Sequence, residues 1–105
     1  MPTLNHMVAQ IPIPPDEIIA LCRRYHIRHL ALFGSVLRSD FTPNSDVDIL
    51  VEFAPGKVPG LGFIDIQDEL SALVGRKVDL NTPGFLSSRI RQNVMEQSET
   101  IYGTP

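Results

Sequence analysis

Residues 34–48 read GSVLRSDFTPNSDVD, and this stretch decides how the chain is interpreted. It follows a short apolar run, Arg28 to Phe33, which predicts a buried strand. It leads into Val47 to Phe53, whose apolar, β-branched residues give the strongest strand prediction in the chain. Between the two, residues 39–45 contain the proline, asparagine and serine that are typical of turns. The stretch therefore predicts a strand, a turn-rich connection and a second strand.

Two carboxylates, Asp46 and Asp48, stand at the start of this second strand. Because side chains alternate along a strand, residues two apart project from the same face. Two like charges held so close repel each other unless a cation lies between them. The spacing thus suits a hard divalent cation, which takes oxygen ligands. An isolated D-x-D has a commoner explanation, in which Asp46 caps a turn and Asp48 is solvated at an exposed strand end.

Gly34 and Ser35 follow the first predicted strand and precede one expected helical turn, residues 36–39. Glycine lets a phosphate approach the backbone closely, and the Ser35 hydroxyl and the N–H groups of the turn can bind phosphate oxygens. Taken alone, Gly-Ser after a strand is more often a simple turn. Arg38, four residues after Gly34, is placed either to contact a phosphate or to form an ion pair with Asp40.

A third acid, Asp79, lies within the apolar segment 76–80, RKVDL, which predicts a third strand. An acid in a buried strand is costly without a partner. If this strand lies beside Val47 to Phe53, Asp79 completes a site of three carboxylates. Lys77 shares its face of the strand, and we interpret it as a solvated or ion-paired residue.

The rest of the chain predicts three amphipathic helices. Pro15 begins the first helix. A Pro- and Gly-rich loop (54–62) precedes the second, which Gly75 closes, and Ser87 or Ser88 caps the third. We expect their apolar stripes to be core, and residues 100–102 to form a short edge strand or a packed tail. The stripe residues are Ile18, Leu21, Cys22 and Tyr25; Phe63, Ile66, Leu70 and Leu73; and Leu86, Ile90 and Val94. The predicted fold is a small α/β (α+β) domain over residues 14–105, of order α-β-β-α-β-α(-β), with a mixed sheet of three to four strands packed against helices and an extended segment at 1–13.

Composition sets the protein class. With 105 residues, 43% hydrophobic and 20% charged, the chain is expected to be one soluble globular domain. A net charge of −3 argues against direct nucleic-acid binding, which usually needs a basic surplus. A single cysteine excludes an intrachain disulfide, and no apolar run approaches the roughly 20 residues that span a bilayer. We expect a cytoplasmic protein with no membrane association.

The motifs together resemble those of a known family. The G-S-x-x-R motif, the S-D-x-D that runs into I-L-V, and the separate V-D-L strand look like the minimal nucleotidyltransferase antitoxins of the DNA polymerase β-like superfamily. The resemblance extends from about residue 14 to 102. It implies that Gly34 and Ser35 hold the β- and γ-phosphates of ATP, and that Asp46 and Asp48 bind two Mg²⁺ ions. It also implies that Asp79 ligates one metal and helps to deprotonate the acceptor hydroxyl.

The resemblance also implies a function. Small members of this group are antitoxins that transfer AMP from ATP to a tyrosine hydroxyl of a partner HEPN toxin and so neutralise it. Two alternatives stay open: a non-catalytic antitoxin that acts by binding alone, and nucleotidyl transfer to a small molecule or RNA. So short a chain holds metals and triphosphate but little else, so we expect the partner to complete the site. A homo-oligomer is also compatible with the sequence.

Overall fold

The computed structural model describes residues 7–8, 11–37 and 41–104 of the chain. Three helices are present: α1 (Pro15–Arg24), α2 (Gly62–Val74) and α3 (Ser88–Gln97). The strands are β1 (Met7–Val8), β2 (Ile11–Pro12), β3 (Ile27–Phe33), β4 (Val47–Phe53), β5 (Val78–Asn81) and β6 (Glu99–Gly103). Short 3₁₀ turns occupy Gly34–Leu37 and Pro83–Phe85. From α1 onward, this succession confirms the predicted order, including the final strand.

The main sheet has four strands in the order β5-β4-β3-β6. β3 pairs antiparallel with both β4 and β6, whereas β4 and β5 run parallel, so the sheet is mixed as predicted. Phe33 at the end of β3 lies opposite Asp48, and Asp48 lies opposite Asp79 on β5. One end of the sheet therefore brings together the Gly34–Leu37 turn and two of the predicted acids.

One face of the sheet is covered by α1 and α2. Val47, Ile49 and Val51 alternate along β4 and are fully buried in a cluster that includes the apolar residues of both helices, Ile18, Leu21, Cys22, Ile66, Leu70 and Val74. This burial confirms the predicted apolar stripes of the first two helices. Gly75 ends α2 in the left-handed conformation, with a φ of 73°, as expected of a C-terminal cap. Because the odd-numbered β4 residues fill the core, the even-numbered ones face the opposite side of the sheet.

The third helix differs from the prediction. Its stripe, Leu86, Ile90 and Val94, was expected to be core, and this expectation is wrong: α3 has no buried residue, and Ile90 is 46% exposed. The physical reason is that α1 and α2 already cover the apolar face of the sheet. Ile90 and Val94 instead line an open cavity beside the Gly34–Leu37 turn.

The N-terminal segment contributes to the core. β1 and β2 pair antiparallel; Ile11 in β2 and Ile13 just after it are 1% and 4% exposed. At the other end of the chain, Tyr102 packs against the same core from β6, the short edge strand expected at residues 100–102. None of the helices in the described residues is long and apolar enough to cross a membrane.

A buried histidine ties three strands together. His29 on β3 is 1% exposed; its Nδ1 lies 2.9 Å from Glu52 Oε2 on β4, and its Nε2 lies 2.9 Å from Thr100 Oγ1 on β6. Arg28 Nη2 donates to the other oxygen of Glu52 at 2.7 Å. A buried polar ring needs such partners to offset its desolvation, so His29 has a structural role.

Candidate active site

Asp46 and Asp48 flank the first residue of β4. Val47 between them is fully buried in the core, so strand alternation turns both carboxylates to the face opposite α1 and α2. Asp46 is exposed and Asp48 is half-buried. The predicted placement of the two acids on one face is confirmed by this geometry.

Gly34 begins the 3₁₀ turn that follows β3, and it lies directly against Asp48. Its φ is +78°, a left-handed conformation that side chains rarely adopt, and a Cβ at this position would overlap the Oδ2 atom of Asp48. Val36, later in the turn, is fully buried and anchors it to the core. The backbone at Gly34 is thus pressed close to a carboxylate, and only glycine fits there.

Ser35 and Arg38 are the other two residues that the sequence predicted for the phosphate site. Ser35 is half-buried, in the second position of the turn, next to the contact between Gly34 and Asp48. Arg38 lies outside the described residues.

Asp79 lies beside Asp48 across the β4–β5 pair, which meets the condition under which the sequence allowed it to join the other two acids. Paired residues of parallel strands share a face, so Asp79 joins the two acids of β4. The assumption that Asp79 is buried is wrong, because β5 is the edge strand and its open face leaves the side chain exposed. Across residues 7–8, 11–37 and 41–104, no group of three or more His, Cys, Asp or Glu side chains is gathered closely enough to hold a metal ion by itself.

Lys77 lies beside the acids and forms an ion pair with Asp46. Lys77 Nζ lies 3.9 Å from Asp46 Oδ2, and the Lys77 carbonyl accepts a hydrogen bond of 2.9 Å from the Val47 N–H. The backbone contact places Lys77 beside Asp46 just as Asp79 lies beside Asp48. With Lys77 79% exposed, the ion pair is weak, because water screens it. Lys77 is ion-paired, in agreement with its interpretation.

Arg76 holds the turn that precedes Asp46, and the sequence did not indicate this role. Its Nη1 donates to the Thr42 carbonyl at 2.9 Å, and its guanidinium carbon lies 4.5 Å from the centre of the Phe41 ring. The same carbonyl accepts the Ser45 N–H at 3.0 Å. Arg76 therefore fixes Phe41 and Thr42, at the start of the turn that precedes Asp46, to the segment that leads into β5. The paired cations before V-D-L are the only sequence signal that could have drawn attention to it.

Comparisons with known proteins agree with this geometry. The family model for the nucleotidyltransferase domain matches residues 18–101. The chain is 39% identical over 83 residues to the protein adenylyltransferase MntA of Thermococcus cleftensis, a match that covers 78% of this chain and 80% of the relative.

Solved structures share the fold. A toxin–antitoxin structure with AMP-PNP contains a chain that superposes with a TM-score of 0.67 at 27% identity, over 86% of this chain and 73% of that one. A complex of tri-AMPylated Shewanella oneidensis HEPN toxin with MNT antitoxin contains a chain with a TM-score of 0.60 at 26% identity, over 86% of this chain and 70% of that one. The match to the family model spans most of the chain and includes Asp46, Asp48 and Asp79, here called the carboxylate row. The chain therefore belongs to the nucleotidyltransferase domain family.

Proposed function

We propose that the protein is a Mg²⁺-dependent protein adenylyltransferase that transfers AMP from ATP to a tyrosine hydroxyl of a HEPN-type toxin, and that it acts as the antitoxin of that toxin. The observation that carries the proposal is the close approach of Gly34 to Asp48, directly beside Asp79. The Gly34–Leu37 turn thus lies against one carboxylate, whose neighbour on β5 is a second one. The similarity to the adenylyltransferase of T. cleftensis supports the same reaction.

The donor set fits magnesium. Mg²⁺ prefers oxygen ligands and is commonly bound by one or two carboxylates together with phosphate oxygens of the substrate. Asp46, Asp48 and Asp79 offer carboxylate oxygens on one face, and the triphosphate would supply the remaining ligands. When bound, two such ions would neutralise charge on the phosphates and hold the attacking and leaving oxygens in line.

Each residue then has a part in the reaction. The N–H groups that follow Gly34 and the Ser35 hydroxyl would hold the β- and γ-phosphates, and Arg38 would add a positive charge. The acceptor oxygen forms a bond to the α-phosphorus while the bond from that phosphorus to the bridging oxygen breaks, and pyrophosphate leaves. Asp79 would take the proton of the acceptor hydroxyl as a general base.

The toxin as acceptor is supported by the structural relatives. Chains of the same fold occur in a complex with a tri-AMPylated HEPN toxin and in a toxin–antitoxin structure with AMP-PNP. The exposed positions of Asp46 and Asp79 leave the site open to a hydroxyl presented by another protein. A hydroxyl on a partner chain can therefore reach the carboxylates without opening of the fold.

The test is transfer of label from α-labelled ATP to the toxin partner in the presence of Mg²⁺, followed by mass spectrometry of the toxin. We expect a gain of one or more AMP units on tyrosine and recovery of growth when both proteins are produced together. The Asp46→Ala/Asp48→Ala variant should transfer no label and fail to neutralise. Asp65→Ala/Asp68→Ala removes the same charge from exposed positions of α2 and serves as the matched control. Equal neutralisation by wild type and Asp46→Ala/Asp48→Ala, without label on the toxin, would instead establish neutralisation by binding.

A further inference from the structure

A cavity of about 520 Å³ lies between the turn after β3 and helix α3. We propose that this cavity, hereafter the α3 cavity, binds the nucleoside of the nucleotide substrate, and that Asn93 and Gln97 recognise its base. The proposal rests on the proposed function, because it assumes that the substrate is a nucleoside triphosphate. The described residues that line the cavity are Phe33, Gly34, Leu37, Ile90, Asn93, Val94, Gln97 and Glu99.

The α3 cavity adjoins the turn that follows β3. Gly34 belongs to the wall of the α3 cavity and also abuts the carboxylate of Asp48. A ligand in the cavity therefore lies next to the Gly34–Leu37 turn, and Gly34 alone separates it from Asp48. Binding sites for small molecules usually measure about 300–1,000 Å³, so the space is adequate for a nucleoside.

Two amide side chains, Asn93 and Gln97, line the α3 cavity. Asn93 and Gln97 are four residues apart on α3, so they share one face of the helix. Among the described residues neither side chain has a hydrogen-bonding partner, whereas the Gln92 amide on the same helix donates to Glu96 at 3.2 Å. An amide offers both donors and an acceptor, which is the complement of a base edge. Phe33, Ile90 and Val94 add the apolar surface that an aromatic base needs.

The charge of the described lining residues also suits a nucleoside. No lysine or arginine is found among the described residues that line the α3 cavity, and Glu99 contributes a carboxylate. This lining disfavours a triphosphate and favours a neutral polar group. A carboxylate accepts hydrogen bonds from ribose hydroxyls, as acidic residues do in other nucleotide sites. The lining thus separates a phosphate end at Gly34 from a nucleoside end along α3.

A second cavity, of about 560 Å³, fits this role poorly. Its walls include Val58, Phe63 and Phe85, and its charged residues Arg28 and Glu52 already pair with each other at 2.7 Å. Glu52 is four residues beyond Asp48 on β4, about 13 Å away at the rise of a strand. The second cavity contains none of the residues of the carboxylate row, so a nucleoside bound there would lie far from its own phosphates.

The experiment is calorimetric titration, with Mg²⁺, of three probes: AMP-PNP, GMP-PNP and inorganic tripolyphosphate. The variants are Asn93→Ala/Gln97→Ala and Ile90→Trp, which fills the cavity, and Gln92→Ala is the matched control on the same helix. For the double variant we expect AMP-PNP to bind about tenfold more weakly, as the loss of two hydrogen bonds predicts, with the preference between the two bases reduced. Ile90→Trp should weaken both nucleotides. Tripolyphosphate should bind equally to all of these proteins, and Gln92→Ala should behave as wild type.

The outcomes separate this inference from the function on which it rests. Unchanged nucleotide affinity and base preference in the double variant and in Ile90→Trp would overturn the α3 cavity while leaving AMP transfer intact. Equal losses for AMP-PNP and tripolyphosphate would also overturn it, because the effect would then belong to the phosphates. Failure of the wild-type protein to bind any of the three probes would overturn the proposed function as well.

Discussion

Gly34 is constrained twice, by its backbone and by its neighbour. Alanine in a left-handed conformation costs about 1 kcal/mol, and here its methyl group would also overlap the Asp48 carboxylate. We therefore expect Gly34→Ala to lower the free energy of unfolding by more than this backbone cost and to abolish AMP transfer, because either the turn or the Asp48 carboxylate must be displaced. Chemical denaturation and the transfer assay would measure the two effects.

Gly56 provides the matched control for this substitution. Its φ is +75°, almost the same as at Gly34, but an added Cβ would meet no atom within 4 Å. Gly56→Ala should therefore show the backbone cost alone and retain transfer. Equal destabilisation by the two substitutions, with transfer retained in both, would contradict the account of the contact between Gly34 and Asp48.

At the scale of elements, the pairing of β4 with β5 sets two like charges side by side. Asp48 and Asp79 are direct neighbours across the strands, an arrangement that usually destabilises a sheet by about 0.2–1 kcal/mol. Asp79→Asn is expected to raise the free energy of unfolding by an amount of this order in metal-free buffer, and to abolish AMP transfer. Thermal denaturation of both proteins in a chelating buffer would measure the gain. A loss of stability in Asp79→Asn would show that the carboxylate is held by favourable contacts instead.

The link between α1 and α2 predicts a pH dependence. The Tyr25 hydroxyl donates to Glu69, and Arg24 Nη1 lies 2.6 Å from the other carboxylate oxygen. The hydrogen bond from Tyr25 contributes most, followed by the one from Arg24, and together they hold the pKa of Glu69 below its usual value of 4.5. Because the Glu69 carboxyl has a lower pKa in the folded state than in the unfolded state, its ionisation stabilises the protein at pH values above the unfolded-state pKa. This stabilisation is lost as the pH falls through the folded-state pKa.

The corresponding substitution is Glu69→Gln. We expect the stability difference between wild type and this variant to be largest near neutral pH and to shrink as the pH is lowered below 4.5. Urea denaturation at a series of pH values would measure it, with Asp68→Asn as a control at an exposed neighbouring acid of α2. A difference that stays constant from neutral to acid pH would exclude ionisation of Glu69 as its source.

At the scale of the whole molecule, the fold and the proposed metal site are separate. The core is a continuous apolar cluster between the sheet and the two helices α1 and α2, and Asp46 and Asp79 lie outside it as exposed residues. Removal of Mg²⁺ by a chelator should therefore abolish AMP transfer while leaving the melting temperature and the circular dichroism spectrum nearly unchanged. Zn²⁺-type structural sites behave differently, since their metal holds the fold together. Unfolding on chelation would mean that the metal stabilises the sheet.

The sequence predicted those parts of the molecule that follow from local periodicity. Alternation along residues 46–51 predicted the shared face of Asp46 and Asp48 and agrees with the burial of Val47, Ile49 and Val51. The contact of Gly34 with Asp48 was not predicted, because the glycine was interpreted as room for a phosphate. The neighbouring position of Asp79 needed the order of the strands, for which the family resemblance was the better guide.

Long-range packing was beyond what periodicity can predict. Whether a stripe such as Ile90 and Val94 is core depends on which helices have already covered the sheet, and α1 and α2 had done so. The contact of Arg76 with the Thr42 carbonyl joins residues 34 apart in the chain, and no local pattern indicates it. Burial of Ile11 and Ile13 likewise depends on the three-dimensional path of a segment without regular spacing.

The absence of buried residues from α3 has a consequence for how such a protein can evolve. Most substitutions at exposed positions change stability by less than about 0.5 kcal/mol, whereas those in a packed core cost several times more. Residues on α3 such as Asn93 and Gln97 can therefore be exchanged with little penalty to folding, while Val47 and Ile49 cannot. As far as folding is concerned, a lineage carrying this fold can vary the helix beside the reaction site, and with it the proposed base preference, but it must keep the strand that supports the acids. The tolerance of the fold to substitution should accordingly be high along one wall of the site and low along the other.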